Sequence, residues 1–74
     1  MPLDPAEPIW KHDIDDTLEL AENCFEVTRD LYKKLQAQNQ PYELQMKMYE
    51  LMTQFYGAVE DLKELSPLFP VEPR

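Results

Sequence analysis

The sequence predicts an all-α protein, an antiparallel two-helix hairpin with helices over about 13–37 and 41–65 and extended Pro-rich arms at both ends. Three observations carry that expectation. Six of the seven prolines crowd the ends (Pro2, Pro5, Pro8, Pro67, Pro70 and Pro73), leaving only Pro41 inside. Proline has no N–H to donate and its ring clashes with the preceding turn, so helix is confined to the stretch between the clusters. Within that stretch, apolar or small residues recur at alternating steps of four and three, the spacing of one helical face. No run alternates apolar and polar residues beside Gly or Asn turns, so no strand is expected.

The first helix is expected to start at Asp13, whose carboxylate can accept orphan N–H groups of the opening turn. Asp15 and Asp16 add negative charge where the helix dipole favours it. Lys33 and Lys34 lie near the other end, where cations are favoured. Ile14, Leu18, Ala21, Phe25, Thr28, Tyr32 and Leu35 form the seam, and Leu20, Cys24, Val27 and Leu31 widen it along one flank. Cys24 is accordingly expected to be a buried, inert thiol.

Gln36–Gln40 reads as a polar link, with Asn39 capping a second helix that carries Pro41 in its first turn. That helix repeats the alternation at Leu44, Met48, Leu51, Phe55, Ala58, Leu62 and Leu65. A link this short makes the helices antiparallel. Folding back at the link sets Leu18 against Leu62, Ala21 against Ala58, Phe25 against Phe55, Tyr32 against Met48 and Leu35 against Leu44.

Both arms leave from the end of the hairpin opposite the link. Residues 1–8 are expected to form a flexible arm and residues 66–74 an extended Pro-rich tail, all within one small domain spanning 1–74. Ser66 marks the end of the second helix. Trp10 and Phe69 are expected to close the open end of the core.

The second helix is apolar over most of its circumference. Tyr42, Met46, Tyr49, Met52, Tyr56 and Val59 form a stripe beside the seam, the tyrosines seven residues apart and so on one line. Such a helix normally has neighbours on more than one side. Domains below roughly 70–80 residues rarely draw more than about 3–5 kcal/mol from their core, and no disulfide is available to a chain with one Cys. Met and aromatic side chains are favoured where proteins meet. The expectation is therefore a protein–protein interaction module, a small adaptor or regulatory subunit that associates through this stripe. Pairing with a second copy would give a dimeric four-helix bundle, and a larger complex is the other way to cover it.

Composition narrows the alternatives. Seven Lys and Arg against 15 Asp and Glu give a net charge of −8, which argues against direct nucleic-acid binding. A single Gly leaves no phosphate-cradling loop. One Cys fits a reducing compartment, no apolar run reaches membrane-span length, and no charged-then-apolar leader is seen, so a cytoplasmic, intracellular chain is expected.

Nine of the acids fall within residues 1–30, and Asp15, Asp16, Glu19, Glu22 and Glu26 give the first helix an acidic face. Its plain role is solubility. The alternative function is that of an acidic inhibitor or nucleic-acid mimic docking on a basic partner through this helix. Glu19, Glu22 and Glu26 have the spacing to offer oxygens to Mg²⁺, but Glu60, Asp61 and Glu64 on the second helix provide no matching pair. His12, the single histidine, sits at the helix start and suits a cap or surface role. No nucleophile–base set converges, so no catalytic residue, metal ligand or cofactor is assigned and no enzyme is expected.

Overall fold

A computed structural model describes residues 7–73. Helix α1 spans Lys11–Ala37 and helix α2 spans Tyr42–Leu65, followed by a single 3-10 turn over Ser66–Leu68 and a segment without regular secondary structure to Pro73. The two helices form an antiparallel hairpin, and no strand occurs among the described residues. The arm expected over residues 1–8 lies outside the described residues except for Glu7 and Pro8.

Helix α1 begins two residues before the expected Asp13. Trp10 is the capping residue, in extended conformation, and its N–H donates to Asp13 Oδ2 at 2.9 Å. Asp13 thus serves from the third helical position, reaching back as the acid of a capping box does. The extra turn is possible because the tail supplies an acceptor: the Lys11 N–H donates to the Pro70 carbonyl at 2.7 Å. The tail is likewise not extended throughout, since Ser66–Leu68 continue α2 as a tighter turn.

The link also differs from expectation at Asn39. It does not cap α2 but ends α1, holding φ at 52° in the left-handed region that Asn tolerates better than most residues. Its N–H donates to Gln36 O at 3.1 Å, and the Gln40 N–H donates to Leu35 O at 3.0 Å. These two bonds form a Schellman closure of α1. Pro41 is the residue at which α2 opens, its carbonyl accepting from Leu44 N–H at 3.0 Å. Gln45 Nε2 donates back to Gln40 O at 2.7 Å and holds the corner.

The α1 seam lies as the alternation predicts: Ile14, Leu18, Ala21, Phe25, Thr28, Tyr32 and Leu35 are the half-buried or buried positions facing α2. The α2 seam does not. Its inward line is Gln45, Met48, Met52, Phe55, Val59, Leu62 and Ser66. Met48, Phe55 and Leu62 are shared with the expected line and Ala58 stays half-buried at its edge, while Leu44, Leu51 and Leu65 turn outward. Moving half of the line by one position rotates the helix by about 50° at about 100° per residue. Phe25 therefore packs on Tyr56 and Tyr32 on Tyr49, with ring centroids 5.8 Å apart in both pairs. These contacts and that of Asp15 with Ser66 share one register, a residue beyond the expected pairing. Tilted ring pairs of this kind contribute roughly 0.5–1.5 kcal/mol beyond the area they bury, which favours the observed rotation.

What the hairpin lacks is a core. Val59, at 7% exposure, is its one buried apolar side chain among the described residues, and no large side chain is fully enclosed. The radius of gyration is 16.5 Å, against about 11 Å for a compact chain of this length. The exposed area is 6128 Å², against about 4,800 Å² for a compact monomer of 8.8 kDa. The molecule is one layer of helix, whereas stable domains are built from at least two.

Candidate interaction surface

The rotation of α2 gives the hairpin two unlike faces. On one, the α1 flank of Leu20, Cys24, Val27 and Leu31 lies beside the α2 line of Leu44, Leu51, Ala58 and Leu65. Helical spacing places both lines on the same side of the seam, where a shallow groove is lined by Asn23, Cys24, Val27, Thr28 and Phe55. Leu20 is 66% exposed, Val27 60% and Leu44 51%. The flank that was expected to widen the buried seam therefore faces outward, because neither helix reaches over it. Cys24 is exposed with it rather than buried.

On the other face, the tyrosines stand among charges. A cleft there is lined by Glu22, Glu26 and Arg29 from α1 and by Tyr56, Glu60 and Lys63 from α2. The Arg29 guanidinium lies 5.9 Å from the Phe25 ring centroid, and Lys63 Nζ stands 3.8 Å from Glu60 Oε1. Of the six residues assigned to a Tyr/Met stripe, Val59 is buried and Met46 and Met52 are half-buried. Tyr42, Tyr49 and Tyr56 are exposed, with Tyr49 and Tyr56 leaning on rings of α1. The continuous line of six is thus divided by the rotation, its Met52 and Val59 facing α1.

The acidic residues are also divided. Asp16, Glu19, Glu22 and Glu26 are exposed, whereas Asp15 is used inside the chain. Its Oδ1 accepts from the Ser66 hydroxyl and its Oδ2 from Lys11 Nζ at 2.9 Å. The Ser66 hydrogen bond, followed by that of Lys11, holds the Asp15 carboxyl below the usual carboxylate range. Sequence reasoning gave Ser66 only a terminating role. Its position 51 residues from Asp15 left no local signal for this clasp.

The clasp continues into the tail, where His12 Nδ1 lies 3.4 Å from Glu72 Oε2. Lys11, His12 and Asp15 line a crevice with Val71 and Glu72. Trp10 and Phe69 are half-buried at this end of the hairpin. No group of three or more His, Cys, Asp or Glu is placed to hold a metal ion among the described residues. No helix among them is long and apolar enough to cross a membrane.

No protein-family model fits the chain, and comparison with curated proteins and with solved structures finds no match. Function is therefore read from the hairpin's own surface, where the leucine face has no use inside the chain.

Proposed function

We propose that the protein is a non-enzymatic association module, a small adaptor or regulatory subunit whose helical hairpin acquires its second layer from another protein surface. A four-helix bundle is the simplest such assembly. One observation carries this reading: a hairpin with Val59 as its one buried apolar side chain among the described residues exposes Leu20, Val27 and Leu31 in the middle of α1 and Leu44, Leu51 and Leu65 along α2. Scattered exposed leucines are ordinary, but these fall in two lines on one side of the seam, and apolar side chains grouped on one face are the mark of an interaction surface.

The surface that associates is the leucine face rather than the tyrosine stripe, because Tyr49 and Tyr56 already have ring partners within the chain and Tyr56 stands among charges. The acidic-inhibitor reading is weaker on this geometry. Glu22 and Glu26 share their face with Arg29 and Lys63, so that face is of mixed charge, and Asp15 is committed to Ser66 and Lys11.

Thermal unfolding followed by circular dichroism over a hundredfold range of protein concentration tests the reading. Self-association raises the midpoint with concentration. Dependence on a different protein leaves the lone chain without a cooperative transition. A cooperative transition independent of concentration would overturn the proposal.

A further inference from the structure

Resting on that reading, we infer that the occupant of the leucine face is a second copy of this chain, related by a two-fold axis perpendicular to the helices. Each helix then packs antiparallel on its own counterpart. The first argument is the placement of the apolar lines. The α1 line, Leu20 to Leu31, has its midpoint between Cys24 and Val27, and the α2 line, Leu44 to Leu65, has its midpoint between Leu51 and Ala58. The ring pair of Phe25 with Tyr56 fixes which residues stand level across the hairpin. By that register the two midpoints lie at the same height to within one residue, about 1.5 Å. A single perpendicular axis can therefore pass through both.

That axis sets Leu20 against Leu31 of the second copy and Leu44 against its Leu65. The smaller pairs, Cys24 with Val27 and Leu51 with Ala58, fall at the centre. An isologous contact needs such self-complementarity, in which residue i meets j and j meets i.

Charge gives the second argument. The same rotation brings Lys47 to within about two residues, or about 3 Å, of the height of Asp61 of the second copy, and Asp16 equally near that of its Lys34, which long side chains can span. All four are exposed, and none has an ion-pair partner among the described residues. The other face-to-face arrangement, with the axis parallel to the helices, would set Lys34 against Lys47 and Asp30 against Glu50. Like charges at both places disfavour it.

Area agrees as well. Two helices of 24 residues or more present a face about 36 Å long and 20 Å wide, roughly 700 Å² per copy. Specific interfaces take about 800 Å² from each partner.

Charge exchange on the full chain tests the arrangement, with the dissociation constant read by sedimentation equilibrium. Positions 47 and 61 lie fourteen residues apart on one helix and do not meet within a chain. Lys47→Glu and Asp61→Lys should each weaken the dimer about tenfold, since each alters two symmetric pairs. The double variant should recover affinity to within about threefold of the unaltered chain. Recovery supports the second copy in this orientation. Singles without effect, or a double variant no better than the singles, would overturn it. An unaltered chain that is monomeric and lacks cooperative unfolding would overturn the second copy while leaving the association reading intact. A monomer that unfolds cooperatively would overturn both.

Discussion

Leu51 and Tyr49 are near neighbours on α2, similarly exposed at 45% and 42%, and they stand on opposite faces of the hairpin. Replacing each in turn by Glu separates the two surfaces. Full burial of a leucine side chain is worth about 1.5–3 kcal/mol, so covering the 45% still exposed contributes about 0.7–1.4 kcal/mol per copy. A dimer contains two, and the loss of about 1.4–2.8 kcal/mol weakens association roughly 10- to 100-fold before the cost of desolvating two carboxylates is added. Tyr49→Glu instead removes a ring contact with Tyr32 within the chain, about 0.5–1.5 kcal/mol of hairpin stability. Sedimentation equilibrium reads the first effect and thermal unfolding the second. Leu51→Glu should lower the mass at micromolar concentration, while Tyr49→Glu should lower the midpoint and leave the mass of the folded species unchanged. Dissociation by Tyr49→Glu with Leu51→Glu still dimeric would refute the assignment of the interface.

Two further substitutions test the hairpin itself. Gly57 lies within α2 at negative φ, and a Cβ added there meets nothing within 4 Å, so Gly57→Ala should stabilise the fold by about 1 kcal/mol, read as a higher unfolding midpoint. If the midpoint falls, that side of α2 is occupied in the assembly. The Asp15 clasp predicts a pH dependence: because the folded carboxyl titrates below its unfolded value, its contribution is present above about pH 4 and is lost as pH falls through the lowered folded value. Ser66→Ala removes the leading cause of that lowering. It should reduce stability at neutral pH and flatten the acid limb of the midpoint–pH curve, whereas a curve lowered equally at every pH would mean that the clasp does not set the titration.

The amount legible in the sequence differed between the helices for a physical reason. The α1 seam was recoverable because Glu19, Glu22 and Glu26 leave one plainly apolar face, and each seam residue faces α2 as the spacing implies. Helix α2 offers apolar side chains around most of its girth, so Leu44–Leu51–Leu65 and Met52–Val59 are equally acceptable inward lines to a periodicity argument. The choice was made by contacts between helices, the Phe25–Tyr56 and Tyr32–Tyr49 pairs, which no one-helix pattern contains. Asn39 was correctly read as a capping residue but assigned to the wrong helix. Asn serves both as an N-cap and in the left-handed position that closes a helix, and the bonds from Asn39 and Gln40 back into α1 decide between them. The start of α1 was placed late because its first N–H is satisfied by Pro70, nearly sixty residues away. The expectation of an unfilled apolar surface came from chain length and apolar content, which do not depend on rotation. Its location does depend on rotation, and the rotation is why the leucine face is proposed in place of the tyrosine stripe.

On the proposed function, a single hairpin cannot enclose enough apolar surface to stand alone. Sedimentation equilibrium of the unaltered chain, carried from high to low micromolar concentration, tests it most directly. A mass of twice the 8.8 kDa chain, falling toward one chain only as helical signal is lost, is the predicted result. A species of one chain mass that keeps its helices and unfolds in one sharp step at every concentration would contradict it.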